Sequence, residues 1–307
     1  MLSSENVAST WWTGIPLIDS MVRDGVCSGD VVELFGSSGV GKSELMWQLA
    51  IKCVLPVELG GSNCTCVLFD NDCKFDPRRL VVVLLATLQR VRQQCVDPTA
   101  VTHVEDASVF DALLRQSLQR IRVIRPRDVV DFVLALRALP DLLDSLTTPC
   151  RLLLIDSISV WHWPLQNDPD GSLYERDLVR FVREVAERHD LVVFASKQYL
   201  FVNANADALQ QHRAVAPSVP LHREYLCRAW VELVRLRVTL TCDIIDNSNG
   251  VVYEDAAEPR FVAYAVENVD WRGRTSNEPT RRQTQAFSIA KSGLHFVGAP
   301  KPIGGAA

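Results

Sequence analysis

The sequence predicts an α/β fold in which a mostly parallel, twisted sheet carries helices on both faces. Short apolar runs alternate with longer segments of helical spacing, as at Val31–Phe35, Cys66–Phe69 and Leu152–Ile155. Because these runs are apolar at consecutive positions, they are typical of strands buried on both faces of a parallel sheet. A glycine-rich loop connects the run Val31–Phe35 to a predicted helix, and such a strand–loop–helix connection is typical of α/β proteins.

The order of the remaining elements supports this class. A helix is predicted over Lys42–Cys53, and another begins at Asp76-Pro77, where Asp caps the helix and Pro suits its first position. Further along, we expect a strand at Arg122–Ile124, a helix at Asp128–Leu139, a helix around Leu178–Val185, a strand at Leu191–Ala195, and edge strands at 228–241 and 285–297. Strands that alternate with helices in this way form βαβ units.

The pattern divides the chain into one domain with short flanking segments. Residues 1–12 are a short N-terminal tail, and residues 13–242 are the core of the domain. Residues 243–299 hold C-terminal strands and polar insertions that complete the same domain, and we expect residues 300–307 to be disordered. A chain of 307 residues is close to the upper size of one large domain.

Charge and composition exclude several classes of protein. With 48% hydrophobic and 22% charged residues, the chain is not globally disordered. A net charge of −5 excludes a free-standing nucleic-acid binder with a wholly basic surface, so DNA contact requires a local patch or a partner. The nine cysteines lack zinc-site spacing and are interpreted as free thiols of a reducing compartment. Neither a signal peptide nor a membrane-spanning run is visible, so we expect a soluble intracellular protein.

The loop after the first strand has the spacing of a phosphate-binding loop. Its glycines are expected where backbone amides must approach a phosphate closely, and the following helix adds the positive end of its dipole. Lys42 would reach the β- and γ-phosphates of ATP, and Ser43 would hold Mg²⁺. The loop consists of Gly36, Ser37, Ser38, Gly39, Val40, Gly41, Lys42 and Ser43. The strand–loop–helix context favours this interpretation over a chance Gly/Ser loop.

Polar residues at three strand ends complete such a site. Asp156 ends the apolar strand Leu152–Ile155, which is the position of a carboxylate behind the metal ion. Asp72 follows the strand after the loop and would orient an attacking water, and Gln198 ends a third strand and would sense the γ-phosphate. In a parallel sheet these strand ends gather at the ligand edge. The alternative for Asp72 and for Gln198 is a polar residue that ends a strand in a turn.

In this order, the segments resemble the RecA/RadA recombinase superfamily. Thr13–Asp19 is similar to the family's lead-in to its ATPase core, and Cys66–Leu80 is similar to the strand and helix after its phosphate loop. The resemblance covers about residues 13–242 and is closest to a eukaryotic recombinase paralogue. The segments that carry this closer likeness are Gly41–Met46, Ile51–Pro56, Val67–Asp72, Asp156–Trp161 and Tyr225–Trp230.

The resemblance implies a RecA-like P-loop NTPase core with ATP and Mg²⁺ as cofactors. It also implies a subunit of a heteromeric paralogue complex that serves homologous-recombination repair of DNA double-strand breaks in the nucleus. Expected partners are other recombinase paralogues and, through the complex, single-stranded or junction DNA. In the family the ATP sites lie between neighbouring protomers, so the nucleotide would stabilise a subunit interface.

Three departures from the family's pattern bear on this expectation. Asp72 stands where active recombinases carry Glu, and its shorter reach to a water leaves hydrolysis open while ATP binding is still predicted. We expect no N-terminal helix-hairpin-helix domain, because few residues precede Thr13. The family's Phe-x-x-Ala polymerisation motif does not precede the core; Phe132 and Ala135 match it by letter, but they lie in a predicted helix and are expected to face the core.

Two segments correspond to the loops that touch single-stranded DNA in the family. The first, at about residues 161–171, combines aromatic residues that could stack on bases with carboxylates that repel phosphates. The second, at about residues 199–224, carries the candidates for DNA contact Arg213, His222 and Arg223. The alternative is that both loops contact protein or are solvated.

Two other functions stay open from the sequence. One is an active DNA-dependent ATPase that catalyses strand exchange, and Asp72 together with the expected lack of an N-terminal domain argues against it. The other is a P-loop kinase of a small substrate. A kinase needs a lid segment whose arginines close on the phosphates, and the sequence contains no identifiable segment of this kind.

Overall fold

The computed structural model describes residues 10–22, 25–94, 107–199, 224–243, 260–267 and 282–302. Its strands are β1 (Thr10–Trp11), β2 (Val26–Cys27), β3 (Val31–Gly36), β4 (Thr65–Asp70), β5 (Ile121–Ile124), β6 (Cys150–Asp156), β7 (Val192–Gln198), β8 (Val234–Asp243), β9 (Arg260–Glu267), β10 (Arg282–Ala290) and β11 (Gly293–Pro302). Its helices are α1 (Pro16–Met21), α2 (Lys42–Val54), α3 (Pro77–Gln94), α4 (Ala107–Gln119), α5 (Val129–Asp144), α6 (His162–Gln166), α7 (Gly171–Arg188) and α8 (Arg228–Leu233).

Within the described ranges, nine strands form one sheet in the order β11-β10-β9-β8-β3-β7-β6-β4-β5. The strands from β8 to β5 run parallel to one another. From β8 to β11 the strands form an antiparallel meander. The sheet is therefore mostly parallel, which confirms the predicted fold class, and the C-terminal strands extend that same sheet. The short strands β1 and β2 pair separately.

Helices cover both faces of this sheet because successive strand residues point to opposite sides. Leu152 and Leu154 pack on the side of α1 and α2, whereas Leu153 and Ile155 pack on the side of α5 and α7. All four leucine and isoleucine side chains are fully buried, and each such burial contributes roughly 1.5–3 kcal/mol. Outside α2, the helices α3 and α4 add a further apolar layer against Trp47.

The lead-in segment Thr13–Asp19 folds as a compact cap before the sheet. Asp19 Oδ1 accepts hydrogen bonds from the Thr13 amide at 2.9 Å and the Thr13 hydroxyl at 2.7 Å. Its Oδ2 accepts the Gly14 amide at 2.8 Å. The carboxylate thus fixes the turn that directs Leu17 and Ile18 of α1, both fully buried, into the core beneath β8 and β9.

Several element boundaries differ from those predicted from the sequence. The predicted strand at 228–241 begins as helix α8 and becomes β8 only at Val234, because Trp230 and Leu233 turn into the core on one helix face. The predicted strand at 285–297 is a hairpin of β10 and β11. Helix α5 continues past Pro140 to Asp144, where buried Leu143 adds to the apolar face. Residues 161–171 are largely helical rather than an open loop.

The ends of the described chain also carry more structure than predicted. Trp11, in the predicted tail 1–12, pairs with Val26 and is buried. Pro302, in the predicted disordered segment 300–307, pairs with Gln283 at the end of β11. Both corrections arise from strand pairing with distant residues, which local composition does not reveal.

Helix α5 contains Phe132 and Ala135, the two residues with the spacing of the Phe-x-x-Ala motif. Phe132 lies in the core, as predicted. Phe132 is fully buried and its ring packs edge-on against Phe69 at 5.1 Å between centroids. Ala135 is half-buried at the edge of the same cluster. Across the described ranges, no helix combines the length and apolar character needed to cross a membrane.

Candidate nucleotide site

The phosphate loop (Gly36–Ser43) has backbone geometry that favours glycine at three of its positions. A Cβ atom on Gly36 would lie 2.4 Å from the Leu240 carbonyl oxygen, and one on Gly41 would lie 3.0 Å from Ile289 Cδ1. Gly41 also has a φ of +93°. Gly39 has a φ of +81°, and a Cβ atom built on it would have no neighbour within 4 Å, so this side of the loop is open. The loop is therefore a backbone-lined cradle that fits the phosphates of a nucleotide.

Lys42 points back across this cradle. Its Nζ donates hydrogen bonds to the carbonyl oxygens of Gly36 at 2.9 Å and Ser37 at 2.6 Å. Burial lowers the pKa of Lys42 to about 8, although the nearby carboxylates of Asp156 and Asp72 favour its charged form. The ammonium group thus lies at the cradle, where phosphate oxygens would take the place of carbonyl oxygens.

The Asp156 carboxylate lies between two serine hydroxyls. Ser43 Oγ donates to Asp156 Oδ2 at 2.6 Å, and Ser196 Oγ donates to Asp156 Oδ1. The structure therefore brings the two predicted metal ligands, Ser43 and Asp156, together from positions 113 residues apart. Hard oxygen donors of this kind suit Mg²⁺. Sequence analysis missed Ser196, a fully buried residue that precedes Gln198 by two positions on β7.

Asp72 lies beside Asp156. Its amide donates to the Asp156 carbonyl oxygen at 3.3 Å. Its carboxylate accepts a hydrogen bond from Ser157 Oγ at 3.2 Å and pairs with Lys74 Nζ at 3.0 Å. The preceding carboxylate of the same turn, Asp70, is buried and serves the fold.

The structural role of Asp70 follows from its partners. Its Oδ1 accepts the amides of Lys74 and Phe75 at 2.9 and 3.1 Å. Its Oδ2 pairs with Arg125 Nε at 2.7 Å. These contacts fix the turn that presents Asp72.

Gln198 adjoins the phosphate loop through the sheet. It is the register partner of Gly36 in the parallel pair β3–β7, and the next amide, of Tyr199, donates to the Gly36 carbonyl oxygen at 3.0 Å. The Gln198 amide donates to Ser159 Oγ at 3.0 Å, and its carbonyl oxygen accepts the Tyr225 hydroxyl at 2.6 Å. The main chain of Gln198 is thus held on both sides.

The predicted DNA-contact residues Arg213, His222 and Arg223 lie outside the described residues. In the first predicted DNA-contact segment, Trp163 is exposed, whereas Trp161 is buried and packs in the core. Only Trp163 of these two tryptophans is therefore available to stack on a base.

A buried charge network behind the phosphate loop was not predicted. Lys197 Nζ lies 3.5 Å from Glu33 Oε2 and 2.5 Å from Glu224 Oε1. Arg237 bonds the same two carboxylates, at 2.5 Å from Glu33 and 3.2 Å from Glu224. Trp230 Nε1 donates to Glu33 at 2.8 Å. Burial lowers the pKa of Lys197, and the two carboxylates oppose this. The available signal was Glu33 itself, a charge inside an apolar strand that requires a partner.

Comparison with known proteins agrees with this geometry. The sequence profile of the Rad51 family matches residues 6–125, which include the phosphate loop and Asp72. The chain is 28% identical to mouse DNA repair protein XRCC2 over 228 residues, which cover 72% of this chain and 75% of the relative. It is 24% identical to the Arabidopsis thaliana DNA repair protein XRCC2 homolog over 295 residues, covering 82% and 78%.

A further similarity covers a shorter part of the chain. The chain is 29% identical to the DNA repair and recombination protein RadA of Methanocorpusculum labreanum over 150 residues, covering 48% of this chain and 42% of the relative. The match to the family profile, these relatives and the mostly parallel sheet with its phosphate loop agree with one another. In sequence and in fold the chain therefore resembles the RecA/Rad51-type recombinases.

Proposed function

We propose that this chain binds ATP with Mg²⁺ in the phosphate loop and acts in homologous-recombination repair of DNA double-strand breaks. In this proposal it is a recombinase paralogue that works as a subunit of a heteromeric paralogue complex in the nucleus. The observation that carries the nucleotide part is the 2.6 Å contact between Ser43 and Asp156 at the mouth of a glycine cradle. The names of the XRCC2, RAD51 and RadA relatives support the repair part.

The binding role of each residue follows from its place in the site. The amides of the phosphate loop and the N-terminus of α2 would hold the phosphates, and Lys42 would exchange its carbonyl partners for phosphate oxygens. Ser43 and Asp156 would hold the magnesium ion, with Ser196 orienting the Asp156 carboxylate. The metal ion, when bound, neutralises charge on the phosphates.

We infer that turnover of ATP is slow. A base that activates water must reach it directly, and the Asp72 side chain is one methylene shorter than glutamate. Its carboxylate oxygens already accept a hydrogen bond from Ser157 and pair with Lys74. ATP would then act mainly as a ligand that stabilises contact with a neighbouring paralogue, which in turn provides contact with single-stranded or junction DNA.

The nucleotide part is tested with Lys42→Ala in the full chain. We expect binding of a fluorescent ATP analogue to weaken by about tenfold or more, because the variant removes a charged partner of the phosphates. Lys52→Ala is the matched control: Lys52 lies in the last turn of the same helix and its Nζ donates to the Gly60 carbonyl oxygen, away from the cradle. Equal affinity of the wild type and Lys42→Ala would contradict the proposed site.

The repair part is tested by affinity capture of the tagged full chain from cells, followed by mass spectrometry. Co-purification of recombinase paralogues is expected. Capture without any recombinase paralogue, from cells that express them, would contradict membership of such a complex.

A further inference from the structure

A chain of buried hydroxyl groups connects Asp72 with the end of β7. Ser157 Oγ donates to Asp72 Oδ1 at 3.2 Å, and Ser157 Oγ lies 3.2 Å from Ser159 Oγ. Ser159 Oγ accepts the main-chain amide of Gln198 at 3.0 Å. Both serines are buried, with exposed fractions of 4% and 7%. We call the path Asp72–Ser157–Ser159–Gln198 the hydroxyl relay.

The donors and acceptors of the relay point in one direction. A serine hydroxyl has one hydrogen, and Ser157 donates its hydrogen to Asp72. In the arrangement that completes the relay, Ser159 donates to Ser157 while it accepts from the Gln198 amide; its hydroxyl also contacts the Tyr225 side chain. A chain of this kind, which starts at a peptide N–H and ends at a carboxylate, is polarised along its length and is stronger than isolated bonds.

The far end of the relay is a junction of three segments. Gln198 is the register partner of Gly36 in the phosphate loop, and its carbonyl oxygen accepts the Tyr225 hydroxyl at 2.6 Å. Burial raises the pKa of Tyr225, so its phenol stays a donor. The residues that precede Gln198 and Tyr225, Lys197 and Glu224, form a partly buried ion pair of 2.5 Å. The end of β7 and the segment that precedes α8 are thus held together by a hydrogen bond and an ion pair.

We propose that Ser157 and Ser159 are positioning residues that couple the Asp72 carboxylate to the main chain of Gln198. Nucleotide binding that displaces Asp72 is then transmitted through two buried hydroxyls to the point where the chain leaves β7. This inference rests on the proposed binding of ATP. It differs from a direct role of the Gln198 side chain, because the contact is with the main-chain amide.

The test measures hydrogen exchange at the Gln198 amide by NMR in the full chain, with and without saturating MgATP. In the wild type, MgATP is expected to change the exchange rate of this amide by about fivefold, the effect of one neutral hydrogen bond. In Ser159→Ala the affinity for a fluorescent ATP analogue is expected to stay near the wild-type value, while the response of the amide to MgATP is lost.

Three variants separate the relay from a merely structural effect. Ser159→Thr keeps the hydroxyl and should restore the response. Ser117→Ala removes another fully buried hydroxyl, in α4 and outside the relay, and should respond as the wild type does. Asp72→Ala should also abolish the response, and combining it with Ser159→Ala should add nothing further, as expected of residues in one network.

The outcomes distinguish the two proposals. Wild-type protein that fails to bind the ATP analogue overturns the proposed function and the relay with it. Wild-type protein that binds the analogue, together with a Ser159→Ala variant that keeps the full response, overturns the relay alone. Loss of the response in Ser117→Ala, or additive effects of Asp72→Ala and Ser159→Ala, also overturns it.

Discussion

At the scale of single residues, the site depends on buried polar groups whose partners are all nearby. Ser43 and Ser196 each donate to one oxygen of Asp156, which fixes the carboxylate in one orientation. Lys42 donates to two nearby loop carbonyl oxygens, and burial lowers its pKa to about 8. Its charge therefore changes within an experimentally accessible range of pH.

This predicts a pH dependence of nucleotide affinity. Below pH 8 the Lys42 ammonium is charged and attracts phosphate, and above pH 8 the folded protein loses this proton. Affinity for a fluorescent ATP analogue is therefore expected to fall as pH rises above 8, by up to about tenfold per pH unit. Lys42→Arg, which stays charged, should bind with little dependence on pH in the same range. A wild-type affinity that is constant up to about pH 9.5 would rule out this role for Lys42.

At the scale of elements, three adjacent strands are locked by charge as well as by apolar packing. Glu33 on β3, Lys197 on β7 and Arg237 on β8 form one network with Glu224, and Glu33 and Lys197 are fully buried. The charges of Glu33 and Lys197 are stabilised by their protein neighbours, because these two side chains are buried away from water. Removing one member leaves an uncompensated charge inside the sheet.

Lys197→Met is therefore expected to be strongly destabilising. The variant removes one of the two cations that Glu33 and Glu224 share and leaves them with Arg237, so one negative charge of the network loses its compensation, at a cost of up to about 3–5 kcal/mol. Urea unfolding followed by circular dichroism measures the loss. The double variant Lys197→Met with Glu224→Gln should recover part of it, since one carboxylate then remains against the one cation Arg237. A Lys197→Met protein as stable as the wild type would show that the network does not support the fold.

At the scale of the whole molecule, the C-terminal hairpin supports the nucleotide site. Phe287 and Ile289 on β10 lie against Gly41, within 3.0–3.4 Å of where its Cβ would be. Phe287 is 1% exposed and its ring stacks on Phe261 at 5.3 Å. From the turn of the same hairpin, the Lys291 carbonyl oxygen accepts a hydrogen bond from Arg79 at 2.5 Å. The C-terminal hairpin therefore packs directly against the phosphate loop.

We expect Phe287→Ala to weaken both folding and nucleotide binding. Truncation of a buried phenylalanine costs about 3–5 kcal/mol, and the cavity would lie directly behind the phosphate loop. Thermal unfolding and titration with a fluorescent ATP analogue measure the two effects. Val297→Ala, on the exposed face of β11, is the control and should change neither property. Normal nucleotide affinity in a destabilised Phe287→Ala protein would mean that the hairpin stabilises the sheet without shaping the loop.

The sequence by itself determined the parts of this protein that local pattern encodes. The phosphate loop is a contiguous run with fixed spacing, and the strand ending in Asp156 is a contiguous apolar run, so both were predicted together with the parallel sheet. Asp72 and Gln198 were predicted at the same edge because parallel strands end there.

Tertiary structure alone decided which distant residues meet. Ser196 reaches Asp156, Ser157 reaches Asp72, and Phe287 reaches Gly41 only through the order of strands in the sheet. A serine that ends a strand, or a phenylalanine in a late strand, has the same local pattern whether or not it serves a site. Its role depends on long-range pairing, whose free energy comes from the burial of whole faces and not from any short run of residues.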